Sequence, residues 1–81
     1  MRKRKLALGD RNKIGARVTQ RRLELGIKQT ELLARLQTRG VQISAPALSL
    51  LEGQKRPVSD IELDALADIL GVSADWLLGR E

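Results

Sequence analysis

The segment Val41–Gly53 leaves its backbone few choices. Ser44 offers a side-chain oxygen to the free N–H groups of a helix start, and Pro46 falls in the first turn, where a missing N–H removes no bond. Ile43 and Leu48 stand at the two positions that staple a helix entrance. Gly53 is placed to take the left-handed conformation that ends a helix. The predicted helix over residues 45–52 is too brief to be a pillar of a core. Termini fixed so firmly mark it as an element that presents a surface.

Similar punctuation divides the rest of the chain into short helices. From Asp10 or Asn12, the spacing Ile14, Val18, Arg22, Leu25 suits one helical face, and Gly26 closes it. A second helix runs from Lys28 or Gln29 to Arg39, with Leu32, Leu33 and Leu36 inward and Gly40 as its stop. Ser59-Asp60-Ile61-Glu62 is a capping box, with Val58 and Leu63 as a staple, and opens a fourth helix that buries Leu63, Leu66, Ala67 and Leu70 and stops at Gly71. A fifth, short helix starts at Ser73, with Val72 and Leu77 as its staple pair. No segment of useful length alternates with a strand's period, and no repeat is present. The expected fold class is all-α: a compact five-helix domain over residues 10–81, preceded by a flexible basic arm over residues 1–9.

Charge is distributed unevenly. Residues 1–57 carry 14 Lys or Arg against four acids, a net +10, while residues 58–81 carry six acids against Arg80, a net −5. A cationic face of this kind is the footprint expected for a polyanion partner, with an unevenly charged but merely solvated surface as the other reading. The chain has no cysteine and no histidine, which removes disulfides, thiol chemistry and the usual zinc ligand sets and fits a reducing, cytoplasmic setting. No apolar run is long enough for a membrane span, and no signal peptide follows the basic start.

Several spaced motifs, taken together, resemble the phage-repressor/Cro type (XRE-like) of helix-turn-helix DNA-binding domain. They are Ile14-Gly15, then Gly26-Ile27-Lys28-Gln29-Thr30-Glu31-Leu32, then Ile43-Ser44 with Leu48-Ser49 and Leu51-Glu52, then Leu66-Ala67 and Leu70-Gly71-Val72-Ser73. The stretch Gly71-Val72-Ser73-Ala74-Asp75-Trp76-Leu77-Leu78-Gly79 is especially similar to the lambdoid repressors, and the resemblance covers roughly residues 12–79. It implies that helices 2 and 3 are the helix-turn-helix pair and that helix 3 lies in the DNA major groove. Gln29 matches the family's phosphate-contacting glutamine, with Lys28 adding charge beside it; a helix N-terminus is a physically apt place for a phosphate oxygen. Ser44 matches a residue that caps helix 3 and touches the DNA backbone. Gln54, Lys55 and Arg56 follow helix 3 in what resembles a second phosphate clamp. Arg22 and Glu52 match a structural ion pair between helices 1 and 3, and a lone Arg22 on an apolar face would indeed be costly.

The chain departs from that pattern at the positions that read bases. Ala45, Pro46, Ala47, Ser49 and Leu50 occupy them, and of these only Ser49 has a side chain that hydrogen-bonds to a base edge. Three readings stay open: apolar contact with thymine methyls helped by DNA shape, weak binding strengthened by dimerisation or a larger complex, or a face that serves a protein. The turn before helix 3 is longer than the family's, and Gly53 stands one place earlier than the family's glycine.

Other candidates weigh towards structure. Trp76, the sole aromatic residue, is expected to anchor the core against helices 1 and 4. Arg2, Lys3, Arg4 and Lys5 read either as a phosphate-binding or minor-groove arm or as a solubilising tail. Leu77 is expected inside the monomer, which leaves Leu78 as a dimer-contact candidate. Asp60 and Glu62 suit a helix N-terminus, and Asp64 and Asp68 share a solvated face. Without histidine, cysteine, phosphate loop or metal-spaced cluster these acids imply no catalysis, no metal and no cofactor. The expected function is a sequence-preferring double-stranded DNA-binding transcriptional regulator, a repressor of prokaryotic or phage type acting as a homodimer. The alternative is a protein-interaction module such as the antitoxin of a toxin pair.

Overall fold

Three serines set the helix starts. In the computed structural model, which describes residues 11–81, Ser44 accepts from the Ala47 N–H at 3.2 Å, Ser59 from Glu62 at 3.1 Å and Ser73 from Trp76 at 2.9 Å. Each oxygen satisfies one backbone donor that has no partner within its own helix. Glu62 completes the box by accepting from the Ser59 N–H at 3.0 Å. The basic arm, with Arg2, Lys3, Arg4 and Lys5, lies outside the described residues.

The helices are α1 (Gly15–Glu24), α2 (Gln29–Thr38), α3 (Ala45–Glu52), α4 (Asp60–Leu70) and α5 (Ala74–Leu77). No strand occurs among the described residues. α3 packs on both α1 and α2, α4 on both α1 and α2, and α5 on α4. One apolar core joins them. Val18, Leu32, Leu36, Leu48, Leu51 and Leu66 are fully enclosed, and Val41 and Ile43 of the connection before α3 are buried with them. The staple residues Ile43 and Leu48 therefore do double duty, fixing the entry angle of α3 and filling the core.

Several expectations need correction. α1 begins at Gly15, later than Asp10 or Asn12, because the Asn12 side chain takes the capping role: its Oδ1 accepts from Ile14 at 3.0 Å and Gly15 at 2.8 Å. Leu25 is 40% exposed, since α1 has ended one residue before it. Leu33 and Leu63 are only half-buried on the margin of the core. Trp76 packs against the core as expected but is only half-buried, at its edge, with the Arg17 guanidinium of α1 4.8 Å above its ring. Leu78, the dimer-contact candidate, packs against the core in part.

Gly53 does not adopt the left-handed conformation. Its φ is −81°, and the positive value, 62°, falls on the next residue, Gln54. The exit of α3 is closed by Gln54 N–H to Leu51 O at 3.0 Å and Lys55 N–H to Leu50 O at 2.8 Å. Gln54 tolerates the strained backbone because contacts on both sides hold it: its Nε2 donates to Asn12 O, and its carbonyl accepts from Arg11 N–H, each at 3.1 Å.

Candidate nucleic-acid interface

α3 is divided lengthwise. Leu48 and Leu51 point into the core, whereas Ser44, Ala45, Pro46 and Ser49 are exposed and Leu50 is 44% exposed. Ala47 is intermediate. The division follows from spacing: 48 and 51 are one turn apart on one face, and 45, 46, 49 and 50 share the other. All five candidate base-reading residues thus lie on or beside the solvent face of α3.

The inner end of that helix is held by Glu52, whose side chain is only 6% exposed. Arg22 of α1 grips it with two parallel bonds, Nε to Oε2 at 2.9 Å and Nη2 to Oε1 at 3.1 Å. Thr19 Oγ1 and Gln29 Nε2 each donate to Oε1 at 3.1 Å. The remaining Arg22 Nη1 donates to Ile27 O at 3.0 Å. A buried carboxylate with this many donors, one of them cationic, is compensated for its loss of water. The result ties the last residue of α3 to the body of α1 and to the first residue of α2. Gly15 brings the same helices closer still, since a methyl there would overlap the Leu51 carbonyl oxygen and sit 2.9 Å from that of Glu52.

The phosphate-contact candidates fall into two groups. Lys28 is exposed at the N-cap of α2, and Lys55 is exposed in the loop after α3; neither has an ion pair among the described residues. Ser44 is exposed but its oxygen already caps α3. Gln29 is turned inward to Glu52, so only the second hydrogen of its amide nitrogen is left for an outside acceptor. Gln54 is half-buried and gives one amide hydrogen to Asn12 O, so, like Gln29, it keeps only part of its amide for an outside acceptor. Arg56 is half-buried and donates to both oxygens of Glu62 at 3.3 Å, which withdraws its charge from the exposed set. Arg39 likewise pairs with Asp68. The acids of α4 therefore neutralise two of the cations that precede them in sequence, and the separation of charge along the chain is weaker in space.

Asn12, read from the sequence only as a candidate start of the first helix, does more than that. Its Nδ2 donates to Leu51 O at 3.1 Å and Arg56 O at 2.8 Å while its Oδ1 caps α1. The signal for the cap was present, an Asn three residues before the first helical turn. The second pair of bonds spans about forty residues of sequence and leaves no local trace.

Comparison with known proteins adds no relative: no family model matches the chain, and neither curated proteins nor solved structures return a match. No helix among the described residues is long and apolar enough to cross a membrane.

Proposed function

We propose that this chain is a double-stranded DNA-binding transcriptional regulator, a repressor of prokaryotic or phage type, in which α2 and α3 act as a helix-turn-helix pair. The observation that carries the reading is the lengthwise division of α3. A helix that reads a groove needs one face locked to its scaffold and the other free, and α3 has both. In this reading Glu52, Arg22 and Gln29 set the tilt of α3, and Lys28 and Lys55 hold phosphates on either side of it. Ala45, Pro46, Ala47 and Leu50 offer apolar contact to thymine methyls, and Ser49 a hydroxyl to a base edge. With so few directional contacts, groove shape supplies much of the selectivity. Two copies on a pseudo-palindrome, with half-sites about one helical turn apart, double each set of contacts.

Selection of bound fragments from a random duplex pool tests this directly, followed by anisotropy titration of the selected site at several salt concentrations. Each phosphate neutralised steepens log affinity against log salt by about 0.9, so Lys28 and Lys55 on two copies give a slope of about −3.6 before any contribution of the basic arm. No enriched sequence together with a slope shallower than about −1 overturns the proposal.

The apolar tip of α3 favours a second reading, a protein-interaction module such as an antitoxin. Leu50 at 44% exposure beside Pro46 is an unusual surface for a groove reader. Charge reversal at Lys28 and Lys55 separates the two, because an apolar protein contact barely responds to it.

A further inference from the structure

A groove of about 290 Å³ opens at the start of α1. Ile14, Val58, Leu63 and Leu78 line it with apolar surface, Lys13 stands on the α1 side, and Asp60 on the α4 side. Val58, Leu63 and Leu78 are each half-buried, so the groove is a continuation of the core that nothing among the described residues covers. Asp64 is exposed one turn along α4 from Asp60, on the same face of that helix and outside the groove's lining.

We propose that this groove is the seat of the chain's own Leu6-Ala7-Leu8, with Arg4 and Lys5 drawn against Asp60 and Asp64. Three observations point to that occupant. The first is position. Arg11 is held by its N–H to Gln54 O at 3.1 Å, and the groove begins two residues later at Lys13. Leu8 is three residues before Arg11, a reach of up to about 10 Å. The second is chemistry. Residues 1–10 hold an apolar triplet directly after four consecutive cations, and the groove pairs an apolar floor with an acidic edge. In an extended seating Leu6 and Leu8 face the same way, as a groove of this kind requires. The third is competition. A segment tethered this closely has an effective concentration in the millimolar range, which favours it over a second copy at ordinary protein concentrations. Seating the triplet brings the charge of the arm to α4 and makes its release a condition for the arm to reach anything else.

The chain has no cysteine, so a nitroxide on Lys3→Cys, outside the residues assigned to the groove, gives a single, unambiguous label. The expected result is a several-fold loss of methyl intensity at Val58, Leu63 and Leu78 in the labelled chain. The loss should vanish when Leu6→Ser and Leu8→Ser are added, with the amide spectrum of residues 11–81 retained as the check on folding. A loss that persists in the double serine variant reflects tethering alone and overturns the proposal. So does a loss that appears only when isotope-labelled chain is mixed with a spin-labelled, unenriched copy, which identifies a second molecule as the occupant. Unchanged methyl intensities overturn it as well.

Discussion

Arg22 and Glu52, thirty residues apart in sequence, meet in a two-bond ion pair at 2.9 and 3.1 Å that is almost wholly shielded from water. The pair sits where α1, α2 and α3 converge, because Thr19 and Gln29 donate to the same carboxylate. Its role follows from that position. It holds the angle of α3, and it leaves Gln29 facing inward.

Glu52→Gln should therefore lower stability strongly, because Arg22 keeps its buried charge and loses its counter-charge. Breaking one partner of a buried pair costs about 3–5 kcal/mol, and the amide retains part of the hydrogen bonding, so about 3 kcal/mol is expected in urea denaturation. Replacing both partners, Arg22→Met with Glu52→Leu, should recover much of that loss. If the double variant loses as much stability as Arg22→Met and Glu52→Leu made singly and summed, the two residues act independently and the hub is not one unit.

Gly15→Ala should destabilise the fold even though alanine favours helices. The added methyl meets backbone oxygens of Leu51 and Glu52, which cannot rotate away as a flexible side chain does. Overpacking of this kind costs about 1–3 kcal/mol, against a gain of up to about 1 kcal/mol from helix propensity. A midpoint of thermal unfolding at or above that of the parent chain contradicts the close approach of α1 to α3.

Lys55 and Arg56 are adjacent, yet their substitutions should be felt in different measurements. Lys28→Glu with Lys55→Glu should lower affinity for the selected duplex at least tenfold and leave the unfolding midpoint unchanged. The salt slope should flatten by about 0.9 for each phosphate that is no longer neutralised. Arg56→Met releases the buried Glu62 from its partner, and the effect should appear in stability, by about 1 kcal/mol after allowing for partial exposure of the pair. Equal effects of the two changes on DNA affinity contradict the division of roles.

Gln54 offers a test of backbone conformation. Gln54→Ala keeps the positive φ and loses the bond to Asn12, and should cost about 1 kcal/mol. Gln54→Gly loses the same bond but relieves a left-handed strain of about 1–2 kcal/mol, so it should match or exceed the parent chain. An alanine variant as stable as the glycine variant shows that φ at 54 carries no strain.

The local parts of this architecture were legible in the sequence. Ser44, Ser59 and Ser73 announce helix starts because a cap acts within three residues, and the leucine spacing of α2 and α4 shows which face turns inward. What decides which cations remain exposed is non-local. Lys55 and Arg56 look alike in a row of letters, and only the position of Glu62 on α4 distinguishes the exposed cation from the paired one. Gly53 is the natural left-handed residue by local reasoning, because glycine bears that conformation most easily. The conformation falls on Gln54, whose side-chain amide is held by the carbonyl of Asn12, 42 residues away in sequence but adjacent in space. The exposed face of α3 was legible as an apolar surface, but apolar side chains name no ligand, because they carry no directional bonds to match.

The Asn12 amide fastens the approach to α1 to a carbonyl in the last turn of α3 and to another within the loop between α3 and α4. Whatever grasps that loop at Lys55 also braces the approach to α1, and a pull on the amino-terminal side is transmitted straight into the footing of α3. In the proposed reading, a ligand that held either segment would therefore steady the other.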